Sequence, residues 1–212
     1  MKNVIFIAPP AAGKGTQSEI LVQKGYTHIS SGNMLRNEIN LNTPIGNAIK
    51  KQLAAGELIE DELIFEIISQ KINNLSKPFI LDGFPRDLKQ AKMLNDLFQE
   101  LSINNYEVIY LDIAVEEALK RALGRLTCSC GATYNLNYKK TKPQNDGICD
   151  KCHQELIIRS DDNDDTVKNR FATFIQNAED LKKYYLKKNK LHVIDVSIGL
   201  EEVAKKIKEI LL

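Results

Sequence analysis

Residues 7–17, IAPPAAGKGTQ, stand between an apolar run, NVIFIA at residues 3–8, and a segment of helical periodicity. A chain that leaves a buried strand through a turn of small residues and enters a helix presents successive backbone N–H groups at the helix N-terminus, where anions are favoured. Gly13, Lys14, Gly15 and Thr16 add flexibility, a mobile cation and a hydroxyl at that point. The strict phosphate-loop pattern G-x-x-x-x-G-K-[ST] is not met, because Ala8 replaces the first glycine and Gly15 separates Lys14 from Thr16. Taken alone, the stretch also fits an ordinary strand-to-helix turn with an incidental lysine, and Pro9-Pro10 suits that reading.

The alternation around the loop narrows the fold. Strand-like runs NVIFIA (3–8), FILDG (79–83), YEVIYLDI (106–113) and LHVIDV (191–196) are separated by helical segments, which predicts an α/β fold with a doubly wound parallel sheet. Between the first two runs, residues 30–75 form a long insertion with helical signals in SSGNMLRNEI, TPIGNAIKKQLAAG and EDELIFEIISQKI. The second has Pro44 just inside its start and Gly56 just past its end, the expected asymmetry. A second insertion, residues 126–160, carries little helical pattern and is followed by a long charged helix at about 164–188. There is no internal repeat and no low-complexity linker, so both insertions are expected to be excursions from one core.

Lys and Arg total 29 against 28 Asp and Glu, a formal charge of +1, so nothing global points to nucleic acid or an anionic membrane as partner. No apolar run has the length needed to span a bilayer, and Lys2 leads straight into a strand-like run, which predicts a cytoplasmic protein. The chain has four cysteines, and all lie in the second insertion as Cys128-x-Cys130 and Cys149-x-x-Cys152. Such clustering in a reducing compartment points to a metal rather than to disulfides. NYKKTKP beside them would suit a nucleic-acid-binding knuckle, but that reading lacks a basic excess and leaves the other segments unexplained.

Five segments occur in order: APPAAGKGTQ, HISSGNMLR, LDGFPRDLKQ, RALGRLT with the four-cysteine insertion, and RSDDNDDTVKNR. Together they resemble the adenylate kinase family in its bacterial long-lid form, and the resemblance covers nearly the whole chain. It implies a P-loop nucleoside-monophosphate kinase fold, with a CORE at 1–29, 76–125 and 161–212, a helical NMP-binding insertion at 30–75 (tight limits about 30–59), and a small zinc-type LID at 126–160. The activity implied is reversible phosphoryl transfer from Mg-ATP to AMP, giving two ADP, by a protein expected to act as a monomer.

The resemblance also assigns residues. The ATP side would be Ala11, Ala12, Gly13, Lys14, Gly15, Thr16, Arg121, Arg125, Thr133 and Tyr134. The AMP side would be Ser31, Arg36, Glu57, Leu58, Ile59, Gly83, Phe84, Pro85, Arg86, Gln90, Arg159 and Arg170. Lys14, Arg86, Arg125, Arg159 and Arg170 would carry the transfer, because phosphoryl transfer spreads charge over equatorial oxygens that preorganised cations stabilise. Asp82 would hold Mg²⁺ through its water shell, and Gln90, one turn beyond Arg86, would read the adenine edge of AMP. Outside this company Asp82 reads as a turn aspartate and Gln90 as a solvated helix residue. Arg121 and Arg125, four apart, are expected on one helix face. Asp161 and Asp162 match acids linking lid and core, and they also suit capping of the helix that begins near Asp164.

Three departures from the family pattern stand out. Ala8 and Ala11 occupy glycine positions, at a cost of roughly 1 kcal/mol if positive φ is forced on an alanine. Asn33 replaces an aspartate. The first cysteine pair is one residue shorter than a C-x-x-C knuckle, although the CGATYN and GICDKC contexts favour a structural Zn²⁺ held by Cys128, Cys130, Cys149 and Cys152, with His153 as a spare ligand. A lid that binds metal incompletely is the alternative there. For the whole chain the rivals are a nucleotide sensor without turnover and a UMP/CMP kinase, whose lid is typically short and lacks cysteines.

Overall fold

The computed structural model describes residues 1–54, 59–158 and 162–212. In chain order these form β1 (Asn3–Ile7), α1 (Lys14–Val22), β2 (Thr27–Ser30), α2 (Ser31–Asn40), α3 (Pro44–Ala54), α4 (Asp61–Asn73), β3 (Phe79–Asp82), α5 (Leu88–Glu100), β4 (Tyr106–Asp112) and α6 (Val115–Leu123). There follow β5 (Arg125–Thr127), β6 (Thr133–Asn135), α7 (Asp164–Lys187), β7 (Leu191–Asp195) and α8 (Leu200–Leu211).

The main sheet has the order β2-β3-β1-β4-β7 with every pairing parallel. Its central strands are apolar on both faces because helices cover both. Val4, Ile5, Phe6 and Ile7 are all buried, and so are Val108, Ile109, Tyr110 and Leu111. Alternate residues enter two different cores. Ile5, Ile7, Leu81, Val108 and Tyr110 pack with Ile68, Leu94, Phe98, Leu181 and Tyr185 of α4, α5 and α7. Val4, Phe6, Ile80, Ile109 and Leu111 pack with Leu21, Val203 and Ile207 of α1 and α8.

All four expected strands are present, but the sheet has a fifth, β2, which the hydrophobic pattern did not reveal. It is an edge strand, Thr-His-Ile-Ser, with only Ile29 fully buried, so it lacks the apolar run that marks an interior parallel strand. The long helix begins at Asp164 as expected, but its N-cap is Asn163, whose side chain accepts from the Thr166 N–H at 2.9 Å. Asp162 does not cap it; its carboxylate is buried against Arg125. Gly56 and Asp161 lie outside the described residues. Pro44 is the first residue of α3, where its missing N–H leaves no helical bond unmade.

Residues 125–158 form a small unit of their own around an antiparallel pair, β5 and β6, in which Leu126 lies opposite Tyr134. Its interior is Leu126, Cys128, Ala132, Tyr134, Cys149 and Leu156. It reaches the main body through Lys151, 3.2 Å from Glu19 of α1, and Lys140, 2.6 Å from Glu201 of α8. Asn135 and Asn137 add hydrogen bonds from their side-chain amides to the Arg121 and Lys120 carbonyls, both at 2.7 Å.

Candidate active site

The loop 8–13 leaves β1 at the carboxyl edge of the sheet and turns back into α1. Two residues make the turn in the left-handed region, Gly13 at φ 95° and Ala11 at φ 59°, whereas Ala8 is not among the positive-φ residues. A left-handed alanine crowds its Cβ against the backbone, so the loop keeps its course at the cost of strain at Ala11 alone. The first intrahelical bond runs from Gln17 N–H to Gly13 C=O, so the N–H groups of Lys14, Gly15 and Thr16 carry no i−4 bond, and no acidic side chain occupies that first turn. Lys14 folds back over the loop, and its ammonium donates to the carbonyls of Ala8 at 2.9 Å and Pro9 at 3.1 Å.

One cavity of about 1240 Å³ runs from this loop to β2 and β3 on one side and beneath β5, β6 and residues 137–141 on the other. Of the expected residues it is lined by Ala11, Ala12, Gly13, Lys14, Gly15, Thr16, Ser31, Arg36, Asp82, Gly83, Pro85, Arg86, Arg121, Arg125, Thr133, Tyr134 and Arg170. Phe84 is fully buried in the core, Ile59 does not line the cavity, and Gln90 stands behind the wall at the start of α5. Glu57, Leu58 and Arg159 lie outside the described residues. The expectation that Arg121 and Arg125 share a helix face is corrected: α6 ends at Leu123 and Arg125 opens β5, so the two reach the cavity from different elements.

The charges in the cavity are mostly positive. Burial lowers the Lys14 pKa to about 8; Asp82 opposes this, while Arg86, Arg170 and Arg125 add to it. For Asp82, burial alone would raise the pKa, but the His28 imidazole, with Nε2 3.5 Å from Oδ2, and the charges of Lys14 and Arg86 hold the carboxyl below its ordinary range. Arg86 is itself destabilised as a cation by burial and by Arg170. Arg125 is gripped by the buried Asp162 through two parallel hydrogen bonds, the one from Nε at 2.6 Å. Cations held this close and out of water favour a polyanion at their centre.

The other wall is built by backbone contacts. Gly83 has φ 83°, and a Cβ there would come within 2.5 Å of Ser31 Oγ, which instead donates to the Gly83 carbonyl at 2.9 Å. Arg86 Nε donates to the same carbonyl at 2.9 Å. Gln90 Oε1 accepts from Arg86 N–H and its Nε2 donates to Asp61 Oδ1, both at 2.7 Å, so this amide ties α4 to the loop that carries Arg86. Asn33 accepts from Arg36 Nη2 at 2.5 Å, a neutral partner where an aspartate would pair with the charge.

The four cysteine sulfurs lie within 4.8 Å of one another, with Cys128 and Cys152 at 3.3 Å and Cys130 and Cys149 at 3.6 Å. A tetrahedron with Zn–S of about 2.3 Å has sulfurs about 3.8 Å apart, so the set fits such an ion despite the shortened first pair. Burial opposes ionisation of Cys149, but the Tyr134 hydroxyl and the N–H groups of Cys152 and Lys151 bring its pKa to about 6. His153 is not in the cluster; it follows the second knuckle in the left-handed region at φ 58°.

Among the cavity residues that the sequence reading missed are His28, Glu117 and Tyr138. His28 could have been found by recognising THIS as a strand, since register places Ser30 beside Asp82. The other two carry no local signal, one being a helix-surface glutamate and the other a tyrosine in an irregular segment.

Residues 6–190 match the family profile described as adenylate kinase. The chain is 41% identical to the adenylate kinase of Archaeoglobus fulgidus over 99% of its own length and 97% of the relative's. It is 38% identical to that of Ruminiclostridium cellulolyticum over 99% of both, and 36% identical to that of Methanosarcina barkeri over 99% and 98%. With that agreement along nearly its full length, and a glycine-lysine loop facing a cluster of arginines, the chain belongs to the adenylate kinase family.

Proposed function

We propose that the protein transfers the γ-phosphoryl group of Mg-ATP to AMP, giving two ADP. The observation that carries this is the meeting of Lys14, Arg86, Arg125 and Arg170 with the carboxylate of Asp82 in one cavity of about 1240 Å³. On this reading the loop 11–16, with Arg121, Arg125, Thr133 and Tyr134, takes the donor. Ser31, Arg36, Gly83, Pro85 and Arg86 take the acceptor, and Gln90 fixes the acceptor wall. Arg159 and the Glu57–Ile59 stretch are proposed on the resemblance alone.

The acceptor phosphate is already ionised at neutral pH, so no general base is required. What remains is in-line placement, charge neutralisation and exclusion of water. Lys14 leaves the Ala8 and Pro9 carbonyls for the β- and γ-phosphate oxygens, Arg86 and Arg170 hold the acceptor phosphate, and Arg125 is held ready by Asp162. Asp82 stays ionised and is suited to the water shell of Mg²⁺, which when bound neutralises charge between the phosphates. The four cysteines would hold Zn²⁺ as a structural staple, since four thiolates leave no open position for substrate. Residues 30–75 and 126–160 are taken as the parts that close over substrate, and the protein as a cytoplasmic monomer. Among the described residues no helix is long and apolar enough to cross a membrane.

A coupled assay of ADP formation from ATP and AMP tests the proposal, with Lys14→Met as control. Folded protein that forms no ADP at saturating substrates would end this reading, as would a Lys14→Met variant that keeps its rate.

A further inference from the structure

Glu117 is one turn before Arg121 on α6 and accepts from its Nε at 2.8 Å. On a solvated helix such a pair is a minor stabiliser. Here the same oxygen, Oε1, also accepts from the hydroxyl of Tyr138 at 2.6 Å, across from the lid unit. The guanidinium carbon of Arg121 lies 5.6 Å from the centre of the Tyr138 ring. Asn135 and Asn137 bind the last carbonyls of α6, so the lid residue and the helix are held in fixed relation. Glu117, Arg121 and Tyr138 all line the cavity, and Val196 and Leu200 line it from the C-terminal part of the chain.

We infer that Glu117 is a positioning residue for the donor nucleoside. By accepting from both neighbours, its carboxylate sets the guanidinium plane and the phenol ring as one wall of the cavity, whose lining also includes the apolar Val196 and Leu200. Planar cations and aromatic rings stack on nucleobases, and a wall fixed in advance spares the ordering cost of two long side chains on binding. The inference rests on the donor-site reading above and adds to it a residue that never touches the phosphates.

The test compares Mg-ATP with Mg-tripolyphosphate, which has the anion but no base, by calorimetric titration, alongside steady-state kinetics. Glu117→Ala is expected to weaken Mg-ATP by about tenfold while tripolyphosphate stays within about twofold, because a charge-assisted contact is lost only from the base wall. Glu117→Gln, whose amide oxygen still accepts both donors, is expected to recover most of the loss. Tyr138→Phe keeps the α6 pair and is expected to cost Mg-ATP about threefold, which provides the same test if Glu117→Ala folds poorly. Equal weakening of both ligands, no weakening of either, or a Glu117→Gln variant as poor as Glu117→Ala would overturn the inference. Wild-type protein that forms no ADP would instead overturn the function on which it rests.

Discussion

The ammonium of Lys14 lies 2.9 Å from the carbonyl oxygen of Ala8, so the cation proposed to meet a phosphate rests on its own loop. Burial brings its pKa to about 8, which makes its charge depend on alkaline pH. Phosphate favours the protonated form, so Mg-ATP affinity should fall as pH rises through about 8, with proton uptake on binding above that value. Titration at several pH values in buffers of different ionisation enthalpy measures both; affinity that is flat from about pH 7 to about 9.5 would refute it. For stability the sign is opposite. Below about 8 the lysine is protonated folded or unfolded and its burial is a standing cost, whereas between about 8 and the ordinary 10.5 the folded chain binds fewer protons and this group's contribution rises with pH.

Ala11 and Ala8 should part company when each is replaced by glycine. Ala11 sits at φ 59°, so Ala11→Gly relieves roughly 1 kcal/mol of strain and should leave melting temperature equal or raised by about 2–4 °C, with activity equal or better. Ala8 is buried in the core beside Phe6 and Ala12, so Ala8→Gly loses apolar packing and adds chain entropy, and should lower the melting temperature. Thermal denaturation of the two variants decides the matter; a destabilised Ala11→Gly would show that the methyl group supports the loop.

Gln90→Leu should impair AMP use more than ATP use. The amide is buried, and its loss strands the Arg86 N–H at the acceptor wall, at about 1–3 kcal/mol for an unmatched buried group, and cuts the tie to Asp61, which keeps Lys89 at 3.4 Å. KM for AMP is expected to rise well above wild type while KM for ATP changes little, and equal weakening of both would count against placing the acceptor there.

The cysteine cluster should hold one zinc per chain. Chelation should lower the melting temperature and loosen residues 125–158, while activity at low temperature largely persists. Cys149 is fully buried in the small interior and Cys130 is exposed, so Cys149→Ala should cost more stability than Cys130→Ala at similar loss of metal. Elemental analysis and calorimetry of both variants provide the check, and metal-free protein from zinc-rich medium would remove the site.

What could be read from the sequence follows where each interaction is made. The interior strands were visible because burial on both faces demands an unbroken apolar run, and the Gly13–Thr16 turn because consecutive residues make it. Edge strand β2 was hidden by its half-polar pattern. Partnerships between distant segments left no local trace: Asp162 with Arg125, His28 with Asp82, Tyr138 with Glu117. The capping role expected of Asp162 went to Asn163, one residue closer to the helix, because a buried arginine was the stronger claimant on the carboxylate.

Since β2, β3, β1, β4 and β7 all run in one direction, the molecule has a working edge and a blank one. The turns entering β2, β3, β4 and β7, at residues 23–26, 74–78, 101–105 and 188–190, contribute nothing to the cavity. A surface tether, a reporter dye or an inserted domain attached at exposed Asn104 would therefore hold the protein by its blind side, on the edge of the sheet away from the cavity.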